Sequence, residues 1–366
     1  MSLNRHGSDP LPPPVLCTAR TVVRTGRRRF ILAGLAALGC FNDGTIALNG
    51  AGATFPYPLY SKWVEAYRGV DPTVRINYQS IGSGGGVRQI VARTVDFGAS
   101  DVPVEPDEQR GATGALLHVP VAIGSVVVSY NLSGLTAPLR LTPEALASIW
   151  LGDVTRWNAP ALVAANPGVA LPDAPIVVIY RTDGSGTTAI FTRYLTAVSE
   201  RWSKTVGAGK SVRWPLGLGA KGNEGVTAFL QSTPGAIGFT ELAYATQNRL
   251  PRAELRNRSG HFVGPSSTAA TAAADAVAMP PSLQASLESA ASDAAYPLAA
   301  YTYLLLYEDV ADTRRGEALA RFVWWTVHDG QRFARPLDYA PLPPSVVTQV
   351  EASLRRVRAG GKPALH

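Results

Sequence analysis

Residues 180–188 read Tyr-Arg-Thr-Asp-Gly-Ser-Gly-Thr-Thr, and this stretch decides the fold. The apolar, β-branched run Ile176-Val177-Val178-Ile179 precedes it, and apolar residues at helical spacing (Ile190, Phe191, Tyr194, Leu195) follow it. The pattern predicts strand, tight loop, helix. Gly184 and Gly186 let the backbone come close to a neighbour. Ser185, Thr187 and Thr188 suit a helix cap and can also bond a ligand. The first N–H groups of a helix lack internal partners, and the helix dipole favours negative charge there. Arg181 adds a planar cationic fork. The parts make a site for a small oxyanion; an ordinary capped helix start reads the same way in isolation.

Working outward, the same unit recurs twice on the N-terminal side. Gly50-Ala51-Gly52-Ala53-Thr54 is a small-residue turn before a helix marked by Tyr60, Trp63, Val64 and Tyr67. The strand pattern Val74–Tyr78 leads into Ser80-Ile81-Gly82-Ser83-Gly84-Gly85-Gly86, and Val87, Ile90 and Val91 continue as a helix face. A short strand over 95–100 ends at Asp101, which fits either a ligand contact or a cap for a helix beyond Pro103. Beyond these come an apolar strand over 119–128, a capped helix over 141–150, a strand over 235–239, a buried strand over 301–307 and helices over 318–327 and 345–357. Residues 266–295, rich in Ala and Ser, predict short helices and a mobile connection. Strands alternating with helices predict an α/β fold with parallel sheets covered on both faces. There is no internal sequence repeat. Gly217-x-Gly219-x-x-Gly222 formally matches a dinucleotide fingerprint, but its Trp214-Pro215 lead does not suit one.

The chain has 366 residues, 46% of them hydrophobic, enough for two sizeable cores. Its net charge of +7 is concentrated in the leader: the first 47 residues hold six Arg and two Asp, leaving 28 basic and 25 acidic residues. No basic block with interleaved aromatics remains, so no nucleic-acid partner is expected. Arg27-Arg28-Arg29-Phe30 before a short apolar run reads as an export signal of twin-arginine type, with a general secretory signal as the alternative. Two processing sites compete: a lipobox-like Ala37-Leu38-Gly39-Cys40, which would tether the protein, and Thr45-Ile46-Ala47. Residues 1–26 precede any usual signal, so an internal start is an alternative. Cys17 is the other cysteine, so the exported domain is expected to carry no disulfide.

Four motifs in order, GAGATFP (50–56), IGSGGGVRQI (81–90), VDFGASD (95–101) and RTDGSGTT (181–188), resemble the phosphate-binding proteins of bacterial phosphate ABC transporters. WPLGLGAKGNEG (214–225), TPGAIGF (233–239) and LDYAPLP (337–343) match too, and the resemblance runs from about Leu48 to the C-terminus. It implies a type II periplasmic-binding-protein fold: two α/β domains, 48–131 with 301–366 and 132–300, behind a leader of 1–47. The chain should cross between them near Asn131 and Ala300, with the ligand in the cleft. It implies phosphate ligation by Thr54, Phe55, Ser83, Asp101, Arg181, Ser185, Gly186 and Thr187, with Asp183 pairing Arg181. Gly84 departs from the pattern, since relatives often carry Ser there. The implied function is high-affinity binding of inorganic phosphate in the periplasm and delivery to transmembrane permease subunits, by a monomer without cofactor. A phosphoester hydrolase or a binder of sulfate or molybdate is the alternative. The sequence contains no Gly-x-Ser-x-Gly elbow and no Walker motif, and its five His are scattered without ligand spacing.

Overall fold

The computed structural model describes residues 44–135 and 137–365. The export signal, Cys17 and Cys40 lie outside the described residues.

Four strand–loop–helix units form where turns of small residues separate strands from apolar helix faces. Strand β1 (Ile46–Gly52) leads to helix α1 (Tyr57–Tyr67), and β2 (Val74–Ser80) leads to α2 (Ser83–Val91). Strands β3 (Phe97–Ser100) and β4 (Leu116–Tyr130) follow. Strand β5 (Val177–Arg181) leads to α3 (Gly186–Val198), and β6 (Leu218–Ala220) leads to α4 (Gly222–Ser232). Strands β7 (Ala236–Glu241) and β8 (Ala299–Tyr307) complete one eight-stranded sheet of order β2-β1-β3-β8-β4-β7-β5-β6. Ile46 and Ala47, assigned to the leader by sequence, are the first residues of β1 and pair with Val74 and Arg75. Cleavage after Ala47 would shorten that strand.

The sheet is mixed rather than parallel, which corrects the expectation. Within each half the strands are parallel (β1 with β2 and β3; β5 with β6 and β7). The long strands β4 and β8 run antiparallel to their neighbours and join the halves. Residues 116–125 of β4 pair with β8, and residues 126–130 pair with β7. β4 therefore changes its pairing partner between Ser125 and Val126 inside one continuous strand. All 15 residues of β4 are buried, which is why its sequence is largely apolar, with His118, Ser125 and Ser129 the polar exceptions. Its register slips opposite Thr302 and Tyr303, beside Pro120, which has no N–H to give to the ladder.

Stability comes from burial. Trp63, Phe97, Phe322 and Leu304 belong to the core around the first lobe; Trp150, Phe191 and Phe239 form a ring cluster in the second, with centroids 4.4–6.4 Å apart. The region 266–295 contains one helix, Ser267–Asp275, with buried alanines.

Helix α2 lies directly on the sheet at Gly86. A Cβ there would sit 2.5 Å from the Gly52 Cα and 2.6 Å from the Ala51 carbonyl oxygen, both backbone atoms that cannot swing away. Gly86→Ala is expected to cost about 1–3 kcal/mol through overpacking. Chemical denaturation should show a lower midpoint with an unchanged slope; an unaltered midpoint would mean that α2 has room to lift.

Candidate functional site

The three loops read from sequence meet at the carboxyl ends of the parallel strands, where the helices α1, α2 and α3 begin. Thr54 and Phe55 lie on the β1–α1 turn, Ser83 opens α2, Asp101 follows β3, and Arg181 ends β5. Ser185 is the N-cap of α3, with Gly186 and Thr187 as its first residues. Thr54, Phe55, Ser83, Asp101, Arg181, Ser185 and Thr187 are all buried.

The β1–α1 turn is held by its carbonyls. The carbonyls of Ala53, Thr54 and Phe55 each accept a tyrosine hydroxyl, from Tyr78 (2.7 Å), Tyr244 (2.8 Å) and Tyr339 (2.7 Å) respectively. Burial pushes all three phenols up, so they remain neutral donors. Tyr339 has one proton, and at 2.7 Å it goes to Phe55. The same phenol lies 3.0 Å from Glu241 Oε2, which also accepts the Ala243 N–H at 2.8 Å. Burial raises the Glu241 carboxyl well above its usual range. From the stretch 337–343, Tyr339 thus holds the β1–α1 turn.

Ser83 joins the lobes. Its hydroxyl accepts the Gly186 N–H (3.1 Å) and the Asp101 N–H (3.3 Å) and donates to Asp101 Oδ2 (3.2 Å). Asp101 Oδ1 accepts from Thr302 (3.0 Å), the residue beside the slip in register. Asp101 caps no helix: the next one, Pro106–Gln109, is capped by Glu105 in a box with Glu108. Burial raises the Asp101 carboxyl to about 7, against the hydrogen bonds from Thr302 and Ser83.

Arg181 is held as a fork. Its Nε and Nη2 bond Asp183 at 2.8 and 2.5 Å, and its Nη1 turns toward Thr187 Oγ1 at 3.4 Å. Asp183 also accepts the Gly222 N–H (3.0 Å). The start of α4, where the glycine fingerprint would seat a dinucleotide phosphate, is therefore occupied by a carboxylate of the chain itself. Ser185 takes the Thr188 N–H as a cap (3.0 Å), so its hydroxyl serves α3 first.

Further cross-lobe contacts hold the cleft closed. Gly84 N–H bonds the Gly184 carbonyl at 2.8 Å, and a Cβ on Gly84 would lie 3.2 Å from the Gly184 Cα. Glycine at 84 lets the two loops touch. At the rim Arg193 pairs with Glu105 (3.0 Å) and Lys210 with Glu108.

Sequence reading missed Asn223, Thr302, Glu241 and Tyr244. Asn223 is fully buried and donates from Nδ2 to Thr54 Oγ1 at 2.7 Å. The only signal for it was its position in the Gly-rich stretch 214–225. The histidines 118, 261 and 328 lie outside this cluster. His118 accepts the Val104 N–H, and burial lowers its pKa to about 4, so it is a neutral structural residue. Among the described residues no group of three or more His, Cys, Asp or Glu is placed to hold a metal.

As assembled, the cleft offers hydroxyls, a backbone N–H and one guanidinium edge around the Asp101 carboxyl, with the Asn223 carboxamide behind Thr54 and Asp183 behind Arg181. That set suits a small oxyanion that also carries a proton.

The comparisons with known proteins agree with this geometry. Residues 41–329 match the model of the PBP superfamily domain. The phosphate-binding protein PstS of Xylella fastidiosa (strain 9a5c) is 43% identical over 84% of this chain and 85% of its own length. That of Pasteurella multocida is 42% identical, over 89% and 95%. The phosphate binding protein from Stenotrophomonas maltophilia superposes with a TM-score of 0.62 at 19% identity, over 84% of this chain and 94% of that one; this likeness bears on the fold.

The pKa shifts fix the sign of a pH effect. Asp101 is raised when folded, so its protonated form stabilises the folded state. That contribution is complete below about pH 4, the unfolded value, and is lost as the pH rises through about 7. Ligand-free protein should melt several degrees lower at pH 8 than at pH 5.5, and Asp101→Asn should remove part of that difference. A wild-type difference retained in full by the variant would assign the effect to Glu241 or another group.

Proposed function

This chain belongs to the PstS phosphate-binding proteins, within the PBP superfamily, and we propose on that premise that it binds inorganic phosphate with high affinity and delivers it to a membrane ABC transporter. The fold is the type II periplasmic-binding-protein fold, two α/β lobes with a ligand cleft between them. The observation that carries the reading is the meeting of Ser83, from the first lobe, with Gly186, from the second, beside Asp101 and the Asp183-braced Arg181. An ion placed there is bound by both lobes at once. It therefore favours the closed form by contacts that an open form lacks.

In this reading Thr54, the Phe55 N–H, Ser83, Arg181, Ser185, the Gly186 N–H and Thr187 donate to phosphate oxygens, the Ser83 proton leaving Asp101 and the Gly186 N–H leaving Ser83 to do so. Asp101 accepts from the ion. Asp183 holds the guanidinium in plane. The lobes are taken as 48–131 with 301–366 and as 132–300, with the hinge in β4 and β8. The protein is a binder, not an enzyme. The Ser83 hydroxyl hydrogen-bonds Asp101 and Gly186, and Ser185 is a helix cap. We place the protein in the periplasm, exported by its leader, acting as a monomer with permease subunits as partners and without nucleic acid. No described helix is long and apolar enough to cross a membrane.

Calorimetric titration of refolded, ligand-stripped protein with phosphate and with sulfate tests the reading. Tight binding of phosphate and weak binding of sulfate are expected, with no phosphate released from a monoester. Tight sulfate and weak phosphate binding would point to another oxyanion, and turnover would make the protein a hydrolase.

Arg181→Ala should weaken phosphate binding by roughly 3–5 kcal/mol, the loss for breaking a buried charged pair, and by more than Thr54→Ala does. Arg181→Lys should recover only part, since an ammonium cannot serve Asp183 and the ion together as the fork does. Titration of the three variants checks this; wild-type affinity in Arg181→Ala would remove Arg181 from the site.

Asp101 sets selectivity. Near neutral pH phosphate retains a proton and can donate to an ionised carboxylate, whereas sulfate can only accept. Discrimination by an unmet hydrogen bond reaches about 10⁴–10⁵. Because Asp101 titrates near 7, its protonated form can donate to sulfate at lower pH. Sulfate should compete better at pH 5.5 than at pH 8 in wild type. In Asp101→Asn, which donates at any pH, competition should be measurable at pH 8 and lose that dependence. An identical sulfate-to-phosphate affinity ratio in wild type and variant at pH 8 would remove Asp101 from selectivity.

A further inference from the structure

Asn223 is the second residue of α4, yet its side chain caps no helix and turns into the cleft. Its carboxamide has one orientation. Oδ1 accepts the backbone N–H of Glu241 at 3.1 Å and the Thr240 hydroxyl at 3.2 Å. A backbone N–H only donates, so the atom facing it must be the oxygen, and the NH₂ must face the other way. The NH₂ reaches Thr54 Oγ1 at 2.7 Å, and the Asn223 N–H approaches the same oxygen at 3.4 Å. The side-chain NH₂ also lies 3.4 Å from Thr187 Oγ1, to which Arg181 Nη1 points at the same distance.

The consequence follows from counting. A hydroxyl has one proton and two lone pairs. At Thr54 the lone-pair side faces Asn223, so the proton is turned away from it. The Thr54 carbonyl is taken by Tyr244. Thr187 faces two donors in the same way. Thr54 belongs to the first lobe and Asn223 to the second, so the contact that sets the hydroxyl is made as the cleft closes. Thr54 and Asn223 are both buried, and a free rotor there would leave lone pairs unmet at a cost.

We propose that Asn223 is a positioning residue of the phosphate site: its pinned carboxamide, bridging Thr54 and Thr187 across the cleft, fixes both hydroxyls as donors to the bound ion. This rests on the reading of the cleft as a phosphate site. Asn223 acts through the threonines and spends its own donors on them.

A double-mutant cycle on phosphate affinity separates this role from a structural one. The full chain, stripped of ligand, is titrated with inorganic phosphate as wild type, Asn223→Ala, Thr54→Val and the pair. Each single variant is expected to bind about tenfold more weakly. The pair should fall within about twofold of Thr54→Val alone, because Asn223 has no hydroxyl left to orient. Asn223→Asp, of the same shape, should bind more weakly at pH 8 than Asn223→Ala, since a carboxylate draws the Thr54 proton toward itself. Asn223→Ser, too short to reach Thr54 and uncharged, takes its place in the cycle if the alanine variant does not fold. Losses that multiply in the pair, or wild-type affinity in Asn223→Ala, overturn the proposal and leave the phosphate site standing. Wild-type protein that binds no phosphate overturns both.

Discussion

An ion with oxygens on every side leaves water only if nearly every oxygen meets a donor in its new place. That constraint explains the architecture. No single loop can surround such an ion, but the starts of several helices can, because each offers N–H groups without internal partners. Parallel strands put those starts at one edge of a sheet. Two lobes that share one sheet, with β4 pairing into both halves of it, bring two such edges face to face. The bond from Gly186 to Ser83 is one of the contacts where they touch.

The cleft does not attract its ion by excess positive charge. Arg181 and Lys210 face Asp183, Glu108 and Asp101, so the nearby formal charges come close to cancelling. Arg181 is already matched by Asp183, and what it offers the ion is a fixed edge of its fork. Recognition then rests on neutral dipoles whose direction is set in advance. Three tyrosines hold the carbonyls of 53–55, Ser185 caps α3, and Asn223 has only one way to lie. Fixed donors lose little on binding, and in the function proposed above Asp101 is the group that tells an ion carrying a proton from one that does not.

Much of this was legible in the sequence where the signal is local. The stretch 180–188 shows strand, loop, cap and cation within nine residues, and the turns at 50–54 and 80–86 repeat the pattern. The signals that failed depend on partners far along the chain. β4 reads as a buried strand, but nothing in it says that its two halves pair with different lobes or run antiparallel. Asp101 looked as much like a cap as a contact, and only the Glu105 cap and the bond from Thr302, 201 residues away, decide against the cap. Asn223 lies in a glycine-rich stretch whose formal match is to a nucleotide loop, and its role depends on Thr54, 169 positions earlier.

The central claim is that one ion closes two lobes. Small-angle X-ray scattering of the ligand-stripped protein, recorded with and without saturating phosphate, tests it most directly. The account predicts a smaller radius of gyration with phosphate and a loaded profile that fits the closed arrangement described here. Stripped and loaded profiles that coincide would contradict it.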